Sequence, residues 1–221
     1  MTLASPTSVN PSSDTTKTLR EHLITVAARN FAEFGMEGAS QRAIQREAGV
    51  NAASTHYHFG SKKDLYRAVI ETALTRIQEE RQASLELLHP DVELPRVERA
   101  RAVLQAYLAP HLRGALTDIG YSYTRILANL QVSRPDAAAD LIEKFVAPVR
   151  DQYLDALGRV YPHVSRHRID EVLVLMMGLT ANAPLHVDQV HLSPAIIERL
   201  ISDVVVAATA SFEALCSGEH C

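Results

Sequence analysis

Apolar residues recur every three or four positions along most of this chain. In the first such stretch, Leu19, Leu23, Ala27 and Phe31 follow one another at a spacing of four. This spacing indicates an α-helix with one buried face, because side chains four residues apart lie on the same side of a helix. We find no stretch that alternates apolar and polar residues as a half-buried strand would. The sequence therefore predicts an all-α fold.

Local capping signals divide the N-terminal part into four helices. Gly35 is placed to end the first, Ser40 and Asn51 are placed as N-caps of the next two, and Gly60 breaks the chain before a new helix. The predicted helices cover residues 16–35, 41–48, 51–58 and 62–88. We expect the second and third, both short, to be joined by a tight turn at Gly49.

The C-terminal part continues the same periodicity in longer segments. We predict helices over residues 95–113, 119–132, 136–160, 165–187 and 194–215. Pro110, Pro148 and Pro184 fall inside these patterns and predict kinks or breaks, because proline removes a backbone donor from the helix. Pro194 instead occupies a favoured first helical position.

Composition narrows the class of protein. With 47% apolar and 22% charged residues, the chain is typical of a folded globular protein. It has no uninterrupted apolar run of about 18 residues and no signal-peptide pattern, so we expect a cytoplasmic protein without a membrane partner. Residues 1–16 have few apolar anchors and are predicted to be a disordered tail. The two cysteines, Cys216 and Cys221, are expected to be reduced thiols.

Positive charge is concentrated in one region of an acidic protein. The whole chain has 22 Lys and Arg against 26 Asp and Glu, a net charge of −4. Between residues 40 and 67, five basic residues stand against two acidic ones, a local charge of +3. The basic residues are Arg42, Arg46, Lys62, Lys63 and Arg67. This concentration favours a nucleic-acid partner for the region, although a solvated surface is the alternative.

Two short helices joined by a glycine-containing turn are typical of a helix-turn-helix. A helix is about 10 to 12 Å across and the major groove of B-DNA is about 12 Å wide, so the second helix can enter the groove. Small residues at its start, Ala52 and Ala53, would let the backbone approach the bases. The polar residues that we expect to contact bases or phosphates are Arg42, Asn51, Ser54, His56, Tyr57, His58 and Lys62.

The run from Leu23 to Leu65 resembles the DNA-binding domain of the TetR family of transcriptional regulators. The resemblance is carried by ITVAARNFAEFG, SQRAIQREAGVN and STHYHFGSKKDLY. It implies a homodimer that places one recognition helix in each of two consecutive major grooves, and a C-terminal domain that binds a small molecule and dimerises. The family's DNA contacts map onto Ser40, Arg42, Ala52, Ala53, Ser54, His56, Tyr57, His58 and Lys62. The implied domains are residues 17–62 and 63–221. His56 stands where tyrosine is common in the family.

Some of these residues have simpler interpretations. Tyr57 and Phe59 could both be core aromatics, and for Phe59 we favour the core. His163 and His167, four residues apart, could bind a metal only with a third ligand that the sequence does not supply, so no metal or cofactor is expected. The sequence has no phosphate loop, zinc pair or nucleophile elbow, so we do not expect an enzyme. An all-α enzyme or small-molecule carrier without DNA binding is the alternative to a DNA-binding regulator.

The C-terminal part is expected to bind a small hydrophobic effector and to form the dimer. Candidate effector contacts combine apolar bulk with hydrogen-bonding tips: Tyr107, His111, Tyr121, Tyr123, Asn129, Phe145, Tyr153 and Met177. Segments 165–187 and 194–215 carry apolar faces wider than one core needs, and there we place the homodimer interface; the alternative is that both are internal helices of one domain. The sequence thus predicts a repressor that leaves palindromic operator DNA when an effector binds.

Overall fold

The computed structural model describes residues 11–88, 94–133, 138–181, 183–186 and 193–216, and every regular element in these ranges is helical. The all-α prediction is therefore confirmed. The helices are α1 (Pro11–Gly38), α2 (Gln41–Glu47), α3 (Ala52–Phe59), α4 (Lys62–Glu86), α5 (Arg96–Gly114), α6 (Asp118–Ser133), α7 (Ala139–Phe145), α8 (Ala147–Val160), α9 (Arg166–Ala181) and α10 (Pro194–Cys216), with a 3₁₀ turn at Ala183–His186.

Helix α1 starts earlier than the sequence predicted. It begins at Pro11 rather than near Thr16, so residues 11–16 of the predicted tail are helical, whereas residues 1–10 lie outside the described chain. Proline suits the first position of a helix, because its fixed φ is already helical and no backbone donor is needed there. The predicted break at Gly35 is confirmed: its φ of +67° interrupts α1.

The three internal prolines have different effects. Helix α5 continues through Pro110, which is buried, so the predicted kink does not become a break. The predicted segment 136–160 is divided at Val146, and Pro148 lies in the first turn of α8. Helix α9 ends at Ala181, before Pro184 in the 3₁₀ turn, so the predicted segment 165–187 is shorter than expected.

The N-terminal helices share a core with part of the C-terminal region. Buried residues of α1, α2, α3 and α4 pack with those of α6 and α7 in one hydrophobic cluster. At its centre the Phe31 ring meets the Tyr66 ring edge-on, with 5.0 Å between centroids. Helix α4 begins at the proposed boundary between residues 62 and 63, and this core extends across it, so the boundary stays a prediction.

A second core holds the remaining helices together. It joins α5, α8, α9 and the C-terminal half of α10, while a smaller cluster of Leu112, Ile197 and Ile201 holds the N-terminal half of α10 against α5. Leu85 of α4 and Leu88, just beyond its C-terminal end, flank this core, and α4 also contributes to the first core. Both cores therefore share one helix. None of the helices in the described ranges has the length and apolar run needed to cross a bilayer.

Candidate DNA-binding surface

The turn between α2 and α3 has a well-defined backbone geometry. Gly49 has a φ of +67°, and its N–H donates to the Arg46 carbonyl at 3.2 Å. The next N–H, of Val50, donates to the Gln45 carbonyl at 2.9 Å. Together these bonds form a Schellman motif, which ends a helix with glycine in the left-handed region. The turn therefore fixes the direction in which α3 leaves α2.

Both short helices carry the N-caps that the sequence predicted. Ser40 Oγ accepts a hydrogen bond from the Ala43 N–H at 3.3 Å, and Asn51 Oδ1 accepts one from the Ser54 N–H at 2.8 Å. These bonds satisfy helix N–H groups that would otherwise lack partners. Because the cap uses only the Asn51 oxygen, its amide nitrogen can still donate to DNA.

The N-terminal and outer faces of α3 are open to solvent. Asn51, Ala52, Ala53 and His56 are exposed, and 81% of Tyr57 is accessible. Ser54 and His58 are half-buried. Thr55 and Phe59 form the buried side, so Phe59 is a core residue as expected, whereas Tyr57 is not. An exposed tyrosine next to two exposed alanines gives α3 a surface that another molecule can approach closely.

His56 has a defined hydrogen-bonding role at the end of α3. Its Nδ1 lies 2.8 Å from the Gly60 carbonyl oxygen, a contact that requires a proton on Nδ1. In the neutral ring, Nε2 is then an acceptor on an exposed side chain. His56 can therefore accept a hydrogen bond from a DNA base while its other nitrogen stays bound to the backbone.

The five cations of the basic region fall into two groups. Arg42, Arg46 and Lys63 are exposed and make no hydrogen bond or ion pair with any described residue. Lys62 is half-buried and its Nζ donates to the Glu37 carbonyl at 3.0 Å, which leaves two of its three protons free. Arg67 is committed elsewhere, as described next.

Arg67 joins α4 to α7. Its guanidinium donates two hydrogen bonds to the Asp140 carboxylate, at 2.8 and 2.6 Å. These bonds lower the pKa of Asp140 to about 2, because they stabilise the charged carboxylate. Arg67 therefore connects the N-terminal helices to the C-terminal region and is not one of the free cations.

The acidic residues of the region are also occupied. Glu47 accepts a hydrogen bond from Asn30 Nδ2 at 3.0 Å, which connects α1 to α2. Asp64 accepts from the Ser61 N–H and Ser61 Oγ in a capping box, and these bonds lower its pKa. The charge of the neighbouring Lys63 also helps to lower the pKa of Asp64, but none of the three exposed cations forms an ion pair within the described chain.

Arg46 and Lys63 belong to this surface but were not among the predicted contacts. In the sequence they stand out only as part of the basic region. A signal for Arg46 was available, since it follows Arg42 by four residues and side chains at that spacing share one helix face. Lys63 could not be separated from Lys62 by sequence, because the bond from Lys62 to Glu37 depends on the tertiary fold.

Four of the predicted effector contacts meet around a residue that the sequence analysis missed. Tyr107 and Met177 contact the buried Arg81 guanidinium, Tyr153 Oη donates to the Arg81 carbonyl at 2.7 Å, and His111 lies one turn beyond Tyr107 on α5. A sequence signal existed: Arg81 continues the buried stripe of α4 at residues 70, 74 and 77. An arginine on an apolar stripe is a candidate for a buried functional charge.

The other four predicted effector contacts lie apart. Tyr123 is buried in the first core, where loss of solvation raises its pKa, and Tyr121 is half-buried. Asn129 is exposed on α6. Phe145 lines an open groove of about 460 Å³ between α4 and the junction of α7 with α8, together with Gln78 and Val149.

The segments proposed for the dimer interface are largely internal to one subunit. Most of their apolar residues, such as Val172, Ile201 and Phe212, are buried in the chain's own cores. Among the described residues of these segments, three large apolar side chains are exposed: Val174 on α9 is 51% exposed, Leu175 is 52% exposed, and Val206 on α10 is 47% exposed.

The two histidines considered for metal binding do not form a site. His163 is exposed, and His167 Nε2 lies 3.3 Å from Glu171 on the same helix. Within the described ranges, no three side chains of the metal-binding types come together. Cys216 is buried at the end of α10, and Cys221 lies outside the described residues.

Comparison with known proteins identifies both regions of the sequence. Residues 23–69 match the family model described as bacterial regulatory proteins of the tetR family. Residues 105–210 match the model described as the tetracyclin repressor-like C-terminal domain. The two matches cover the DNA-binding surface and most of the C-terminal helices.

Two curated relatives are transcriptional regulators. The dual regulator CecR of Shigella flexneri is 29% identical over 59% of this chain and 59% of CecR. The repressor AcnR of Corynebacterium glutamicum is 33% identical over 27% of this chain and 32% of AcnR. The matched stretches thus span less than two thirds of either relative.

Solved structures share the fold. The ketosteroid transcriptional regulator KstR2 of Mycobacterium tuberculosis superimposes with a TM-score of 0.65 at 17% identity, over 85% of this chain and 93% of KstR2. The regulator PfmR of Thermus thermophilus gives a TM-score of 0.54 at 16% identity, over 90% of this chain and 99% of PfmR. At this identity the likeness concerns the fold alone.

Proposed function

This chain belongs to the TetR family of transcriptional regulators, and on that premise we propose that it is a repressor that binds palindromic operator DNA as a homodimer and leaves it when a small effector binds. The observation that carries the proposal is the exposed face of α3 flanked by three unpaired cations. Water solvates exposed cations, so leaving them unpaired costs little free energy, and their charge attracts phosphates. The arrangement therefore suits a polyanionic partner.

The residues of the surface divide by the DNA groups they would contact. Arg42 has a forked guanidinium that suits a guanine edge or a phosphate, while Tyr57 and Lys62 suit phosphates. Ala52 and Ala53 would let α3 approach the bases, and His56 would accept through Nε2. Arg46 and Lys63 would add sequence-independent phosphate contacts.

A second copy of the chain is the partner that we propose for the exposed apolar residues of α9 and α10. Val174, Leu175 and Val206 lie on the two helices that the family resemblance assigns to dimerisation. A two-fold dimer would present two α3 helices to half-sites about 34 Å apart, and would therefore require a palindrome. Because the molecule that the dimer would bind is operator DNA, we place the protein in the cytoplasm.

Helix α4 is the element that we propose connects effector and DNA. It begins beside α3, carries the Arg67 bridge to α7, and ends against the second core. An effector that shifts its C-terminal half would change the distance between the two DNA-binding surfaces. A coupling of about 1 to 3 kcal/mol would weaken operator binding by about 5- to 150-fold.

The test is selection of DNA from random oligonucleotides, followed by fluorescence anisotropy on the recovered sequence. We expect a palindrome bound by two chains, and loss of binding in Ala53→Glu, which places a carboxylate on the exposed face of α3. Ala139→Glu, at an exposed alanine of α7, is the matched control and should bind normally. Recovery of no sequence would leave a carrier without DNA binding as the better description, whereas equal binding by Ala53→Glu would show that the exposed face of α3 does not contact the DNA.

A crosslink tests the proposed role of α4. Cysteines introduced at exposed positions of α4 in the two subunits would hold these helices at one separation. We expect the crosslinked dimer to bind operator and to lose its response to effector. A normal response in the crosslinked dimer would show that the effector acts by another route.

A further inference from the structure

Arg81 is a charged side chain in the interior of the helical domain. It lies on α4, one turn beyond Ile77, and only 3% of its surface is accessible. Arginine is rarely buried unless it is paired, because removing a charge from water is strongly unfavourable. A buried arginine therefore calls for an account of what compensates its charge.

The contacts of Arg81 are neutral. Nε donates to the Tyr107 carbonyl at 2.9 Å, and the guanidinium carbon lies 4.0 Å from the centre of the Tyr107 ring. Nη2 donates to Met177 Sδ at 3.3 Å. Within the described part of the chain, no carboxylate lies in ion-pair range of Arg81, and Nη1 donates no hydrogen bond. The cation–π contact offsets part of the desolvation, but none of the described residues supplies a counter-charge.

The surroundings add no negative charge. Tyr153 packs against Tyr107 with 4.8 Å between ring centroids, and burial keeps it protonated by raising its pKa. His111 is buried, and its pKa is lowered to about 4 by desolvation, with a contribution from Arg81. His111 is therefore neutral near neutral pH, and Arg81 is the charge in this group of aromatic and thioether side chains.

Arg81 differs from surface arginines of the same region. Arg113 makes two hydrogen bonds to Glu198, at 2.7 and 2.9 Å, in a partly exposed position where water could solvate it. The buried Arg81 would gain more from a carboxylate partner than the partly exposed Arg113 does, yet no described residue supplies one. The edge of the guanidinium formed by Nη1 and Nη2 is the one that binds two carboxylate oxygens, and among the described residues its one acceptor is the Met177 sulfur. Sulfur is a weak acceptor, so a carboxylate would be a better one.

We propose that Arg81 is the anchor for the anionic group, a carboxylate, of the effector, whose apolar part packs against Tyr107, Tyr153 and Met177. The inference rests on the proposed function and narrows the effector from a small hydrophobic molecule to an apolar carboxylate. Met177 provides the entry: it is half-buried, and its unbranched side chain can move aside as the carboxylate replaces its sulfur at Nη2. This movement would also connect the effector to α9.

The test compares three probes of equal chain length: octanoate, 1-octanol and octylamine. Thermal unfolding and calorimetry of the full chain measure their binding without DNA. We expect octanoate to bind at least about tenfold more tightly than octanol, and octylamine not to bind. Arg81→Met, which keeps an unbranched side chain without the charge, should lose this preference. Arg76→Met, at an exposed arginine of the same helix, should keep it.

Several results would overturn the proposal. Equal binding of octanoate and octanol by the natural chain would do so, as would an unchanged preference in a folded Arg81→Met variant. So would the absence of binding by octanoate, by its shorter and longer homologues, and by benzoate. The comparison in the natural chain remains decisive if Arg81→Met does not fold. Octanoate binding is measured without DNA, so its result does not depend on operator binding. The proposed carboxylate site can therefore be refuted while operator binding is confirmed, or confirmed while operator binding is refuted.

Discussion

Arg42 and Arg81 stand in opposite environments of the same molecule. Neither has a carboxylate partner among the described residues, but Arg42 is exposed on α2 and Arg81 is buried on α4. Water solvates the Arg42 guanidinium at little cost, so its lack of an ion pair is informative only because Arg46 and Lys63, in the same basic region, are exposed and form no ion pair either. For the second, burial makes the missing counter-charge costly. An unpaired charge thus indicates a large polyanion when it is exposed in a group, and a small anion when it is buried alone.

The largest effect is expected from the exposed side of this comparison. Replacing Arg42 and Tyr57 together by alanine should weaken operator binding. Loss of one bidentate base contact costs about 1 to 3 kcal/mol, or about 5- to 150-fold in affinity, and loss of the Tyr57 contact should add to this. Thermal stability should stay the same, because both side chains are exposed. Anisotropy and thermal unfolding measure the two quantities. Unchanged operator affinity would remove these residues from the DNA-binding surface.

The buried side predicts a dependence of stability on acid. The pKa of His111 is about 4 in the folded protein and 6.5 ordinarily, so the unfolded chain takes up a proton that the folded chain refuses. The free energy of unfolding should be unaffected by this group above about pH 6.5 and should fall as the pH drops, by about 2 kcal/mol at pH 5. Urea unfolding at both pH values measures it.

A pair of variants isolates this contribution. His111→Gln should be less sensitive to acid than the natural chain, since no proton can bind at that position. His163→Gln, at an exposed histidine, is the control and should behave like the natural chain. If both variants lost the same stability at low pH as the natural chain, His111 would not be the source.

A third, smaller effect concerns the backbone that presents the exposed arginine and α3. Gly49→Ala should destabilise the protein by about 1 to 2 kcal/mol, because a side chain is strained in the left-handed region. Gly158→Ala is the control: it lies inside α8 without a positive φ, and neither glycine has an atom within 4 Å of an added Cβ. It should stabilise the protein by up to about 1 kcal/mol. Destabilisation by both would point to packing instead of φ.

The smallest effect distinguishes two kinds of exposed cation. Lys63→Gln should weaken binding equally for all DNA sequences and reduce the slope of log affinity against log salt by about two for a dimer. Arg42→Ala should instead weaken the selected operator more than random DNA. A Lys63→Gln variant that changes sequence preference would place Lys63 at a base.

Features fixed by local physics could be predicted from the sequence. The caps at Ser40 and Asn51, the break at Gly35 and the turn at Gly49 depend on residues within about five positions, and the structure has all of them. The exposure of α3 followed from the helix-turn-helix pattern. These local signals are the ones that a single sequence records most directly.

Features that depend on distant partners were missed. The bonds from Lys62 to Glu37 and from Arg67 to Asp140 separate bound from free cations, and no spacing rule predicts them. Arg81 was missed for a related reason: its position on the apolar stripe is visible, but its lack of a counter-charge requires α5, α8 and α9 to be in place. Likewise, most apolar residues of α9 and α10, where the sequence predicted a dimer interface, are buried in the chain's own cores.

Arg81 also restricts how such a sensor could change its specificity. Its backbone and side chain bind Tyr107 of α5, Tyr153 of α8 and Met177 of α9, so one residue of α4 holds three other helices. A substitution there would alter the scaffold together with the ligand. New effector specificities should therefore arise by substitution of the surrounding side chains, of which Met177 is the most accessible. The proposed preference for a carboxylate would be kept, because Arg81 would be kept.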